Sequence, residues 1–115
     1  MKSVPREGMG RGEESEMMHK AGTSVRGIRP EILAARMIAS PIWKRHGQQL
    51  VITSSTDGGH GEGSSHYRGE AEDYRTHYFD PLSVQGVADE LQNALGDEYQ
   101  VIVEKTHVHV QWKPL

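Results

Sequence analysis

"EYQVIVEKTHVHVQWKP", Glu98 to Pro114, is the stretch on which the reading of the fold turns. It divides into two β-branched runs joined by a tight connection around Lys105, which predicts two neighbouring strands. In the second run His107, His109 and Gln111 fall on one face and Val108, Val110 and Trp112 on the other, because successive side chains of a strand alternate. The apolar set must face the core, since burying the histidines instead would leave several polar groups to satisfy. Two imidazoles therefore project together from an ordered strand.

Working back from that pair, "DPLSVQGVADELQNALG" carries Val84, Val87, Ala88, Leu91, Ala94 and Leu95 at helical spacing. Asp80 is a cap, Pro81 an opening residue and Gly96 a stop. "EAEDYRT" alternates as a strand, with Ala71, Asp73 and Arg75 on one face and Glu72 and Tyr74 on the other. The glycine-rich "SSTDGGHGEGSS", from Ser54 to Ser65, reads as a loop of a length that is uncommon in a compact domain without a function. "QQLVITS" reads as a strand. "RPEILAARMIAS" predicts a helix opened by Pro30, with Ile32, Leu33, Met37 and Ile38 near one face. Pro41 is expected to kink or restart it, with Ser40 as a new cap and Gly47 as the stop. Residues 1–24 read as a flexible arm and 25–115 as the folded domain. The elements sum to an α+β domain, helices packed on a small antiparallel sheet. Trp43 and Trp112 are expected in the core.

Composition narrows the function. A chain of 115 residues supports one modest core, and 35% hydrophobic residues with a mean hydropathy of -0.67 imply that part of it is solvated. A net charge of -3 without a Lys/Arg face argues against nucleic acid as partner. No apolar run approaches the roughly 18 residues of a membrane span, and the N-terminus lacks the apolar core of a signal peptide. Cysteine is absent, so any metal must be held by His, Asp or Glu, and there are seven histidines. Imidazoles favour zinc over calcium or magnesium, which prefer oxygen ligands. His19, His46, His60 and His77 read as surface or loop residues.

Ser64, His66, Gly69, Ala71 and Asp73 spell Ser-x-His-x-x-Gly-x-Ala-x-Asp, and "EKTHVH" follows farther along the chain. Together these resemble the zinc D-Ala-D-Ala peptidases and their relatives of the Hedgehog/DD-peptidase fold, over roughly Ile28 to Pro114. Phage endolysins that cut peptidoglycan stem peptides belong to the same superfamily. The resemblance implies one zinc per chain on His66, Asp73 and a histidine of the last strand. Both histidines share a face, so strand parity leaves either open; the His-x-His form implies His109, with His107 beside substrate. Glu104 would take the proton from water and pass it to the leaving amine. Gly69 and Ala71 would allow the close approach that brings the ligands to one ion, and Ser64 would hydrogen-bond beside them.

One departure concerns the substrate. Family peptidases often carry an arginine after the first strand, where this chain has "ITSSTDGGH"; Arg68 and Arg75 are the candidates to replace it. The expectation is a monomeric zinc metallopeptidase acting on a stem peptide. It would be phage-encoded and made in the bacterial cytoplasm, virion-associated, or a host enzyme. The alternative is a zinc-stabilised binding module of the same fold that no longer cleaves.

Overall fold

A computed structural model describes residues 17–56 and 68–114. The elements run β1 (Met17–His19), α1 (Pro30–Arg45), β2 (Leu50–Ser54), β3 (Ala71–Arg75), a single 3-10 turn (Pro81–Ser83), α2 (Val84–Leu95), β4 (Tyr99–Val103) and β5 (His107–Trp112). The strands form one sheet in the order β1-β2-β3-β5-β4. The α+β class holds, with one correction: the sheet is mixed. β1 runs parallel to β2 while the other three pairings are antiparallel. β1 also lies within the stretch expected to be an arm. Beyond it Lys20 N–H donates to the Ile52 carbonyl at 2.9 Å and Thr56 N–H to the Ser24 carbonyl at 2.7 Å, so residues 17–24 belong to the domain. No helix among the described residues is long and apolar enough to cross a membrane.

Both helices cover one face of the sheet. Leu50 and Ile52 of β2, Tyr74 of β3 and Val108 and Val110 of β5 meet Ala35, Ala39, Ile42 and Trp43 of α1 and Val87, Ala88 and Leu91 of α2. Each large side chain fully buried there contributes about 1.5–3 kcal/mol relative to an exposed one. Trp43 sits at the centre, edge-on to Tyr74 and Phe79, and its indole N–H donates to the Arg75 carbonyl at 3.0 Å. Trp112 is only half-buried, with the Arg29 guanidinium 4.8 Å above its ring.

α2 follows its periodicity, and Gly96, at φ 91°, ends it. The expected cap stands one turn earlier: Asp80 accepts from Leu82 N–H at 3.0 Å and so caps the 3-10 turn, while Ser83 at the start of α2 makes no side-chain cap bond. Ala94, at the far margin of the stripe, is exposed. α1 departs from expectation twice. Leu33 and Met37 are 44% and 64% exposed, and the face toward the sheet is Ile32, Ala35, Arg36, Ala39, Ser40, Ile42 and Trp43. Two alanines there let the helix axis approach the strands closely. The helix also runs unbroken through Pro41. Pro41 removes the donor for the Met37 carbonyl, but both residues are on the solvent side, where water can satisfy that group.

Arg36 reaches from α1 into this covered face and pairs with Glu72 of β3. Its Nε–H donates to Glu72 Oε1 at 2.8 Å, a second N–H reaches Oε2, and Ser55 Oγ–H donates to Oε2 at 2.6 Å. All three residues are buried. In this apolar layer a two-pronged guanidinium and a hydroxyl take the place of water around the carboxylate.

Candidate active site

β3 and β5 build the opposite, polar face. Their antiparallel register sets Asp73 against His109, Arg75 against His107 and Ala71 against Gln111. Alternation then carries Ala71, Asp73, Arg75, His107, His109 and Gln111 to the side away from the helices, while Glu72, Tyr74, Val108 and Val110 fill the core.

The polar side chains contact one another in a chain. His109 Nδ1 lies 3.1 Å from Asp73 Oδ1, and its Nε2 lies 3.2 Å from Gln111 Oε1. The other Asp73 oxygen is 3.6 Å from His107 Nε2, and that same nitrogen is 3.7 Å from Glu104 Oε1. His107 Nδ1 is 3.2 Å from Thr106 Oγ1. Asp73 is nearly buried, whereas Glu104 is exposed at the end of β4, where its N–H closes the turn onto the His107 carbonyl at 2.9 Å. The hydrogen bond to Asp73 raises the His109 pKa above the ordinary histidine value; burial opposes this, and Gln111 and the Asp73 charge add to it.

Four of the residues singled out from sequence, Asp73, Glu104, His107 and His109, are therefore neighbours. Arg75 shares their face, its guanidinium 5.5 Å over the Tyr78 ring. Arg68 lies in the turn before β3, where its Nε–H donates to Glu70 at 3.0 Å. His66, Ser64 and His60 lie outside the described residues. Among the described residues no group of three or more His, Asp and Glu is arranged to hold a metal ion. The contacts form a line through Asp73 rather than a cage. The donor set still suits zinc: a carboxylate with an imidazole nitrogen facing each of its oxygens, on a rigid strand pair. Two of the three expected ligands, Asp73 and His109, are in contact, and the third, His66, would come from outside the described residues.

Gly69 has a reason the sequence did not disclose. At φ 76° it occupies backbone space that favours glycine, and a Cβ there would stand 2.2 Å from the Gly27 carbonyl oxygen. Arg29 N–H donates to the Gly69 carbonyl at 3.0 Å. The close approach is thus between the turn before β3 and the chain entering α1. Strand parity puts Gln111 on the face of His109 but gives it no role. The Arg36–Glu72–Ser55 cluster is not foreseen from the sequence, although Arg36, four residues after Ile32, lies on that residue's helical face.

Compared with models of known protein families and with curated proteins, the chain matches none.

Proposed function

We propose that the chain is a zinc-dependent metallopeptidase of the Hedgehog/DD-peptidase-like fold that hydrolyses peptide bonds of peptidoglycan stem peptides. The observation that carries this reading is the meeting of Asp73, His107, His109 and Glu104 on one polar sheet face, although Asp73 is far from the others in sequence. His66, Asp73 and His109 would hold one zinc. When bound, the metal supplies a Lewis acid for the scissile carbonyl and lowers the pKa of a water toward about 7. Gln111 holds the outer nitrogen of His109 and so directs Nδ1 toward Asp73. Glu104, exposed and beside His107, is suited to accept a proton from water and return it to the leaving amine. His107, steadied by Thr106, offers Nε2–H to the substrate's developing oxyanion. Arg75, stacked on Tyr78, suits a substrate carboxylate better than Arg68, which is engaged with Glu70.

A non-catalytic zinc-stabilised module of the same fold is favoured by one observation, that the stretch from the end of β2 onward, "ITSSTDGGH", carries no arginine to grip a substrate carboxylate. Elemental analysis and a Glu104→Gln variant separate the two. The peptidase should hold about one zinc per chain, and His66→Ala and Asp73→Asn should each lose it. Glu104→Gln should keep metal and melting temperature while cleaving peptidoglycan fragments at least about 100-fold more slowly. Unchanged cleavage by Glu104→Gln would remove the mechanism. Wild-type protein free of zinc after zinc is supplied at neutral pH would remove the peptidase reading itself.

A further inference from the structure

β4 is the last strand of the sheet, so one side of its backbone faces β5 and the other faces outward. Which residues face which way follows from the turn and the far end. Glu104 N–H donates to the His107 carbonyl, and the Glu98 carbonyl accepts from Lys113 N–H, so the even-numbered residues 98, 100, 102 and 104 bond across to β5. Tyr99, Val101 and Val103 therefore turn their N–H and C=O groups to the outer edge.

That edge is occupied from within the chain. Gln92 of α2 donates Nε2–H to the Tyr99 carbonyl at 2.9 Å and accepts from Val101 N–H on Oε1, also at 2.9 Å. Its amide therefore occupies two of the outward backbone groups that an adjacent strand would otherwise bond. A further N–H contact to the Gly96 carbonyl at 3.1 Å fixes the side chain to the end of its helix.

The groups along this edge are complementary to themselves. Two copies of β4, antiparallel about a two-fold axis at Val101, would set Val101 against Val101 and Val103 against Tyr99. Each Val101 N–H would then meet the partner's Val101 carbonyl, and each Val103 N–H the partner's Tyr99 carbonyl. Two of these groups, the Tyr99 carbonyl and Val101 N–H, are the ones Gln92 now holds. "YQVIV" carries no charge and no proline, the usual guards of an edge strand, and Ile102 and Val103 are 36% and 39% exposed. We propose that the outer edge of β4 is a self-pairing surface for a second copy of this chain, and that Gln92 holds it shut.

The test is the oligomeric state of the full-length protein, by size-exclusion chromatography with light scattering over a concentration series. Wild type should be monomeric. Gln92→Met keeps bulk and helix propensity but removes both edge bonds, and should dimerise at least about tenfold more tightly, a change of about 1.4 kcal/mol. Gln92→Met/Val103→Lys, with a charge added on the edge, should return to monomer. A Gln92→Met protein that melts cooperatively and stays monomeric throughout the series overturns the proposal. So does a wild-type dimer that Val103→Lys dissolves, because the edge would then be open with Gln92 in place. Should Gln92→Met not fold, Gln92→Ala removes the same two edge bonds with a residue of the highest helix propensity. For that variant a dimer supports the proposal and a monomer overturns it.

Discussion

Glu72 and Asp73 are adjacent carboxylates on one strand, and the sheet sends them to opposite sides. Glu72 points into the helix-covered layer, where Arg36 and Ser55 saturate it. Asp73 points to the polar face, where two imidazoles lie against its oxygens and Glu104 stands just beyond. The first carboxylate has partners that cannot exchange with solvent and do no chemistry. The second has partners whose protonation can change and whose nitrogens can bind a metal. Burial alone does not separate them, since both are buried. What separates them is the identity of the partner: a guanidinium stays charged at all accessible pH, and an imidazole does not.

The comparison breaks most severely at Arg36. Truncating Glu72 to Ala leaves a buried guanidinium without its counter-ion and should cost about 3–5 kcal/mol in urea denaturation. Arg36→Met/Glu72→Met, which removes both charges, should recover more than half of that loss, because the covered face is apolar around the pair. Asp73→Asn should instead leave stability within about 1 kcal/mol and abolish zinc uptake, since an amide preserves the shape but not the charge. If Asp73→Asn destabilised the protein as much as Glu72→Ala, the two faces would not have the separate roles described.

A smaller effect is expected where the two regions are joined, at the turn leading into β3. Gly69→Ala forces a side chain into positive-φ backbone and against the Gly27 carbonyl, and should cost about 1–3 kcal/mol. Gly47→Ala, at a similar φ of 79° but with open space around it, should cost less, so the difference between the two measures the contact with Gly27. Equal losses in thermal melts would mean that backbone conformation alone requires glycine at position 69.

Much of this was legible in the chain. Alternation in β3 and β5 assigned both faces correctly, including Asp73 and the two histidines, because a half-buried strand repeats every two residues whatever covers it. α2 was equally plain, with a clean apolar stripe between a proline and a glycine. α1 was misread because its apolar residues are spread around the helix. Its buried face is chosen by small residues and by Arg36, whose burial depends on a glutamate elsewhere in the chain. β1 was invisible for a similar reason. "MMH" has no pattern of its own and becomes a strand only by pairing with β2.

The smallest effect is a change in how stability depends on pH, and it distinguishes the two faces once more. In metal-free protein, kept so by a chelator, the bond to Asp73 holds the His109 pKa above its ordinary value of 6.5 despite burial. Folding then favours the protonated ring. That contribution is complete below about pH 6.5, shrinks as pH rises through the folded-state value, and is absent above it. His19, beside Arg36 and Glu72, has the opposite sign: burial and the Arg36 charge lower its pKa, so its contribution falls as pH drops through 6.5. Wild type alone would mix the two slopes. Asp73→Asn removes the partner of His109 and leaves His19 untouched, so the wild-type minus variant difference in urea midpoint isolates the polar face. That difference should be widest just below pH 6.5 and narrow toward pH 9. A difference that widens with pH would mean that Asp73 does not hold the imidazolium, and that the contact between the central carboxylate and His109 is not the one that orders this face.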